Sequence, residues 1–161
     1  DGCLARATFT RLEPRPAAAV GDPRPGLACR YFEGEWRKLP DFGALQPRRA
    51  EVVPAVAAPP FARAEHYALE LEGYLRVPAD GLYVLSLRSD DGSALDLGGE
   101  RVIDADGGHG EGDDRTEVAL SAGLHPIRVT YFQARGDQAL ELWIEGPGFA
   151  MRPVRPEELA H

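Results

Sequence analysis

The sequence lacks any excess of basic residues and any long apolar run. Its 161 residues include 18 lysines and arginines against 26 aspartates and glutamates, a formal net charge of −8. Proteins that bind nucleic acid neutralise phosphates with clustered basic side chains, so this balance argues against a nucleic-acid partner. No stretch approaches the roughly 18 consecutive apolar residues of a membrane-spanning helix. The acidic balance instead suits a cation or a neutral partner such as a sugar.

Recognisable catalytic motifs are also missing. The chain has no G-x-S-x-G nucleophile turn, no H-E-x-x-H metal-binding pair and no phosphate-binding glycine loop. Its four histidines are scattered, and His125, at the start of a predicted strand, is interpreted as a packed side chain rather than a base. Paired glycosidase carboxylates are assembled in space, so the sequence leaves them open. Short loops leave little room for a deep active site, and we predict that the chain is not an enzyme.

Cysteine is scarce, with only Cys3 and Cys29 in the chain. The pair permits one disulfide, which would require an oxidising compartment, or two unpaired thiols, and the sequence leaves both open. Residues 1–25 are rich in proline and alanine, show no periodicity and are predicted to be a leader or linker from a preceding domain. Residues 26–161 are predicted to form one monomeric domain.

What the sequence does contain is a series of short segments with alternating apolar residues. In residues 66–78, five such side chains share one face of a predicted strand: Tyr67, Leu69, Leu71, Leu75 and Val77. Residues 82–88 are apolar on both faces and predict a central strand. The strand within 138–148 is predicted to point its leucines inward and Trp143 outward. This pattern, without a long amphipathic helix, predicts an all-β fold, an antiparallel β-sandwich of the jelly-roll type with short loops.

One of these strands ends in two adjacent carboxylates. The segment SLRSDDGSALDLGGE (86–100) carries Asp90 and Asp91 directly before Gly92. Successive side chains of a regular strand point to opposite faces, so two neighbours should not converge. One interpretation, slightly favoured by the residues alone, is a solvated turn in which Asp90 caps the turn and Gly92 supplies a positive φ. The other is that a cation draws the two carboxylates together.

A second acidic stretch, DADGGHGEGDD (104–114), invites comparison with a calcium-binding loop. An EF-hand would need glycine in place of His109 and glutamate in place of Arg115. The favoured interpretation is therefore a solvated loop.

Three segments of the chain resemble a known family: GLACRYFEGEWRKLPDF, LEGYLRVPADGLYVLSLRSDDGSALDLGGERVIDADGGHG and LSAGLHPIRVTYFQARGDQALELWIEGPG. The linked patterns G-Y-L-x-V-P-x-D-G-x-Y, S-D-D-G-S, A-G-L-H-P-I and Y-F-x-x-x-G are similar to the protective-antigen-type domain, which yeast flocculins and epithelial adhesins share. The resemblance covers residues 26–149. It implies a β-sandwich and, as in the lectin members, a calcium-dependent sugar site.

The resemblance also assigns roles to two loops. In the lectin members the Asp-Asp peptide bond is cis, which places both side chains around one calcium ion, and Asp90 and Asp91 match this pair. A second loop gives an amide side chain and backbone carbonyls to the same ion, and it matches YFQARGDQAL here. The amide role falls on Gln133, where the yeast lectins have asparagine, and the backbone role on residues 135–137.

The resemblance implies that a sugar places two vicinal hydroxyls on a surface calcium with open coordination positions. Carbohydrate sites usually add an aromatic surface, and Trp143, predicted to face outward after the second loop, is the first candidate. Trp36 is a weaker candidate, because its segment YFEGEW is predicted to pack in the core. Arg135 and Asp137 complete the predicted carbohydrate site with the paired aspartates, and Arg135 either reads the sugar or blocks the ion.

The segment ATFTRLEPRPAAAVGDPRPGL resembles the junction after the accessory domain of chitobiase-like β-hexosaminidases. This implies an accessory module of a secreted or cell-envelope glycoside hydrolase. The expected function is non-catalytic, calcium-dependent carbohydrate binding, as in lectin-like cell adhesion. The alternative is a structural or interaction module that packs against a neighbouring catalytic domain, with or without a structural calcium.

Overall fold

The computed structural model describes residues 13–106 and 112–161. The larger of its two antiparallel sheets has seven strands: β1 (Leu27–Glu33), β2 (Arg49–Val53), β3 (Tyr67–Val77), β5 (Ser93–Leu97), β6 (Glu100–Ala105), β8 (Gly123–Gln133) and β11 (Leu159–Ala160). The smaller sheet has four: β4 (Gly81–Asp90), β7 (Gly112–Leu120), β9 (Ala139–Gly146) and β10 (Phe149–Pro153). Two 3₁₀ helices span Phe42–Ala44 and Pro156–Glu158, and in the ranges described no helix is long and apolar enough to cross a membrane. The packed sheets confirm the predicted antiparallel sandwich.

Two connections pass from one sheet to the other, and they lie next to each other. The larger sheet has the order β2-β1-β3-β8-β5-β6, with β11 beside β3, and the smaller sheet has the order β10-β9-β4-β7. Residues 91–92 join β4 to β5, and residues 134–138 join β8 to β9. Because β4 pairs with β9 and β5 pairs with β8, both crossovers lie at one end of the sandwich. The sheet order therefore brings together the two loops that the resemblance assigned to one ion.

The main core lies between the sheets. The five predicted inward residues of β3 are all buried, and so are the predicted inward residues of β9, which are Leu140, Leu142 and Ile144. Trp143 is half-buried on the opposite face, as predicted. The two-residue repeat holds along both strands because each has one face against the other sheet. Burial of side chains of this size contributes about 1.5–3 kcal/mol each.

A smaller cluster covers part of the outer face of the larger sheet. Its buried members are Phe32, Phe42, Ala68 and Phe132. The segment 34–45, called the covering segment below, packs Trp36, Leu39 and Leu45 against this cluster. Asp41 accepts a 3.1 Å hydrogen bond from the backbone of Gly43 and so caps the first 3₁₀ helix. The covering segment is thereby held near the crossover end of the sheet.

Residues 13–25, predicted as a linker, contact the sandwich. Arg15 forms a backbone bridge with Leu120, Ala18 with Leu124 and Pro25 with Ala160. The Arg15 side chain also makes a 2.8 Å ion pair with Glu100. Composition indicated an extended segment but not this docking. The division of the chain into residues 1–25 and 26–161 stays a prediction.

Two sequence predictions lie partly outside the described residues. Cys29 is buried on β1, where burial raises the pKa of its thiol to about 11. Cys3 lies outside, so the disulfide stays a prediction. In the acidic stretch 104–114, Asp106 accepts a 2.6 Å hydrogen bond from the backbone of Leu39, while residues 107–111 are not described.

The close approach of β11 to β3 gives a test of this packing. A Cβ atom at Gly73 would collide with the carbonyl oxygen of Ala160 and lie 2.7 Å from Cδ2 of Leu27. Gly73→Ala is therefore expected to displace β11 and lower the free energy of unfolding by about 1–3 kcal/mol, measured by urea denaturation. Gly21→Ala is the matched control, since no atom lies within 4 Å of that position. Equal stability of the two variants would contradict the close approach.

Candidate functional site

The Asp90–Asp91 pair lies where the chain leaves the smaller sheet. Asp90 ends β4 and pairs with Ala139, the first residue of β9. The Asp90–Asp91 peptide bond is cis, as the resemblance implied. Asp91 is 9% exposed, and the hydroxyls of Ser89 and Ser93, which flank the pair, share a 2.6 Å hydrogen bond. The two acids therefore occupy a crossover that is anchored to paired strands at both ends.

The second loop contacts this pair directly. The backbone N–H of Ala134 donates a 2.8 Å hydrogen bond to Oδ2 of Asp91. The hydroxyl of Tyr131, three residues before this loop begins, lies 2.5 Å from the backbone carbonyl oxygen of Asp90. The structure thus brings the paired aspartates and the second loop into one cluster.

Tyr131 connects the two loops through one hydroxyl. Its ring is fully buried, and burial raises the pKa of the phenol well above its usual value, so the group keeps its proton. The hydroxyl lies 2.5 Å from the carbonyl oxygen of Asp90 and 2.6 Å from Oε1 of Gln133. One proton cannot serve two acceptors. Both contacts are satisfied when the Gln133 amide turns, so that its NH₂ group donates to Tyr131 while Tyr131 donates to Asp90.

Gln133 also contacts the backbone carbonyls of the second loop. Its side chain is 1% exposed, and Nε2 donates to the carbonyl oxygens of Gly136 at 3.3 Å and Asp137 at 2.9 Å. Amide nitrogen and oxygen are nearly equal in size, so either orientation fills this space. In the turned orientation three oxygens face one another, an arrangement that a cation stabilises. Gln133 can therefore close the loop with hydrogen bonds or offer its oxygen to an ion.

The donor chemistry of this cluster fits a hard divalent cation. Within residues 13–106 and 112–161, no group of three or more His, Cys, Asp and Glu side chains is placed to hold a metal. The acidic donors are Asp90 and Asp91, and the other donors are the oxygens of Gln133, Gly136 and Asp137. Calcium takes carboxylate, amide and backbone oxygens, whereas zinc and copper favour nitrogen and sulfur. The residues present therefore fit calcium.

A pocket of about 510 Å³ opens beside Asp91. Its lining residues are Glu35, Trp36, Arg37, His66, Asp91, Ala134 and Arg135. Trp36 reaches the pocket from the covering segment, and a Cβ atom at Gly34 would lie 2.7 Å from its ring. Glycine at position 34 therefore leaves the space that the indole occupies. The pocket combines an aromatic ring, a candidate metal ligand and exposed basic side chains.

Trp143 lies away from this pocket. It is four residues along β9 from Ala139, which corresponds to ~13 Å at the usual rise of a strand. Arg88 lies over its ring at 3.8 Å, and Glu141 accepts its indole N–H at 2.8 Å. The aromatic residue beside Asp91 is Trp36, the weaker candidate from the sequence. Trp36 both packs on the outer cluster, as predicted, and lines the pocket.

The edge of the site includes predicted and unpredicted residues. Arg135 and Asp137 are exposed in the second loop, and Arg135 lines the pocket. The two residues that directly precede β3 hold the second loop in place, and the sequence pattern did not single them out. Glu65 accepts a 3.1 Å hydrogen bond from the N–H of Gly136, and His66, at φ 60°, donates its backbone N–H to the loop. Their only sequence signal is a position directly before a strong strand pattern.

The fold resembles several solved structures. An anti-sigma factor domain-containing protein matches with a TM-score of 0.75 at 17% identity, over 85% of this chain and 47% of that one, so this chain spans about half its length. The PA14 sugar-binding domain from an RTX adhesin matches with a TM-score of 0.72 at 15% identity, over 86% and 99%. The Epithelial Adhesin 6 A domain from Candida glabrata, in complex with Galβ1-3GlcNAc, matches with a TM-score of 0.67 at 12% identity, over 88% of each chain. Identities this low show the fold alone.

Sequence comparison gives the family. No curated protein sequence matches this chain significantly. The family model described as the PA14 domain matches residues 24–151. This range begins just before β1, ends within β10 and contains both loops of the candidate site. The chain belongs to the PA14 domain family.

Proposed function

We propose that this chain is a non-catalytic carbohydrate-binding module of a secreted or cell-envelope protein, and that it holds vicinal sugar hydroxyls through a surface calcium ion. The observation that carries the proposal is the hydrogen bond from Ala134 to Asp91, which joins the two loops at the edge of the pocket containing Trp36. The likeness to adhesin domains, one described as sugar-binding and one in complex with a disaccharide, supports the same ligand class.

Each part of the site has a separate task in this proposal. Asp90, Asp91, Gln133 and the carbonyls of Gly136 and Asp137 would hold the calcium, which when bound offers coordination positions to two neighbouring hydroxyls. The protein offers five donor groups, whereas calcium binds about six to eight oxygens, so coordination positions remain for water or sugar. The exposed second loop keeps this side of the site open to solvent.

The remaining tasks fall to the pocket wall. Trp36 presents an aromatic surface against which the C–H groups of a sugar ring pack. A single shallow site offers few contacts, so we expect weak binding, with a Kd of about 1 mM. The further proposal that the chain is an accessory module of a glycoside hydrolase rests on the resemblance of the segment ATFTRLEPRPAAAVGDPRPGL, residues 7–27, to the junction in β-hexosaminidases. In the alternative, the sandwich packs against a neighbouring domain and calcium only stiffens the crossover.

Calcium is expected to raise the thermal stability. An ion present at 100 times its Kd stabilises a protein by about 2.7 kcal/mol, which corresponds to roughly 5–10 °C in Tm for a domain of this size. Asp91→Asn keeps the shape and the acceptor for Ala134 but removes a charge, and it should abolish most of this shift in differential scanning calorimetry. Asp22→Asn is the control, since its carboxylate is 89% exposed and lies outside the site. No binding of millimolar calcium to the unsubstituted chain would contradict the proposal.

A glycan array with and without chelator separates the two functions. A sugar-binding module should retain glycans in calcium and lose them in chelator. Calcium binding without any glycan retention would instead favour the structural module.

A further inference from the structure

Two arginines in the pocket beside Asp91 have no ion-pair partner in the described part of the chain. Arg37 and Arg135 are exposed, both line the pocket, and neither makes an ion pair or side-chain hydrogen bond with any residue in 13–106 or 112–161. Other arginines of the sandwich behave differently. Arg128 and Arg152, for example, bind carboxylates at 2.7 Å and 2.6 Å.

The charge of the pocket therefore depends on the cation. Its lining contains Arg37 and Arg135 and the carboxylates of Glu35 and Asp91, whose charges balance without a metal. Counted together with its other acidic ligand, Asp90, a bound divalent cation leaves these groups with one net positive charge, although the chain as a whole carries −8. A positive pocket on an acidic protein attracts an anionic ligand locally while the rest of the surface repels it. Two unpaired guanidinium groups are also suited to a carboxylate, which they bind through paired N–H donors.

We propose that this site selects acidic saccharides, in which a ring carboxylate binds Arg37 and Arg135 while vicinal hydroxyls bind the calcium. This inference rests on the proposed function, because the hydroxyls need the ion. The two arginines line the pocket from different segments, Arg37 from the covering segment and Arg135 from the second loop. In this proposal a sugar ring lies against Trp36 and presents its carboxylate to the guanidinium groups. In this proposal Arg135 binds the sugar and does not block access to the ion.

The test compares sugars that differ only in the carboxylate. Methyl galacturonoside and methyl galactoside are titrated into the chain by calorimetry at fixed free calcium, with the methyl ester of the uronate as a neutral control. The uronate is expected to bind at least tenfold more tightly than either neutral sugar at low ionic strength. This preference should shrink at 0.5 M salt, because ions screen exposed charges.

Variants assign the preference to the two arginines. The double variant Arg37→Gln/Arg135→Gln should bind the uronate no better than the galactoside, so the readout is the ratio of the two affinities, measured at saturating calcium. Arg76→Gln is the matched control, since Arg76 is exposed on β3 outside the pocket. Equal binding of uronate and galactoside by the unsubstituted chain would overturn the inference and leave the proposed function standing. Failure of every sugar to bind in calcium would overturn the proposed function itself.

Discussion

Replacing Glu70 with alanine is expected to lower the free energy of unfolding by about 3 kcal/mol and Tm by roughly 6–12 °C. Glu70 lies on the outward face of β3, yet it is only 2% exposed. Arg128 donates to its Oε1 at 2.7 Å, and Arg30 pairs with its other oxygen. Removing the carboxylate leaves two guanidinium groups facing each other across the sheet, and Arg128 keeps only Asp96 at 3.1 Å and the exposed Glu72 at 3.6 Å as acidic partners among the described residues.

The control for this prediction is the next acid on the same face. Glu72 is 53% exposed and lies 3.6 Å from Arg128, so Glu72→Ala should cost less than about 1 kcal/mol. Urea is the denaturant of choice, because guanidinium salts screen the ion pairs being measured. Equal losses in the two variants would show that burial adds nothing to the Glu70 pairs.

The sheet pattern could be predicted where a strand has one face in the core. The alternation of β3 from Tyr67 to Val77 gave the correct inward residues, since each faces the other sheet. Glu70 falls on the predicted outward face but is buried all the same. Alternation predicts which face of the strand a side chain occupies, but not what covers that face. The arginines that cover Glu70 lie on the adjacent strands, and only the sheet order brings them next to it.

The candidate site was harder to derive from the residues alone. Asp91 and Ala134 are 43 positions apart, and they meet because β4–β5 and β8–β9 cross between the sheets at the same end. Crossover positions follow from topology, which local patterns do not encode. The family resemblance supplied this information, and physical reasoning on the Asp-Asp-Gly segment alone favoured a solvated turn.

The aromatic residue of the pocket shows the same limit. Trp143 was preferred because it follows the second loop in the chain, but a strand carries the chain away by ~3.3 Å per residue. Trp36 precedes Asp91 by more than fifty positions and returns to it through the covering segment. The spacing Gly34-x-Trp36 was the available signal, since the indole lies where a side chain at position 34 would be.

Tyr131→Phe is expected to weaken calcium binding by about tenfold or more, the usual effect of removing a group that orients a metal ligand. The hydroxyl contacts both Asp90 and Gln133, at 2.5 Å and 2.6 Å. Without it, the turned amide of Gln133 loses its acceptor and the carbonyl of Asp90 loses its donor. The ion would then have to order both loops at the expense of its own binding free energy. The buried groups left unpaired should also lower stability by about 1–3 kcal/mol.

Tyr83→Phe separates these two effects. Tyr83 is also fully buried, and its hydroxyl donates to the backbone carbonyl of Ala79 at 2.7 Å, near the opposite end of β4. It should lose a similar amount of stability in urea denaturation but bind calcium unchanged in calorimetry. Since both variants remove one buried hydroxyl, only the position of the lost hydrogen bond differs between them. If Tyr131→Phe bound calcium as tightly as Tyr83→Phe, the hydroxyl would be a core hydrogen bond like that of Tyr83, and the turned amide of Gln133 would play no part in holding the ion.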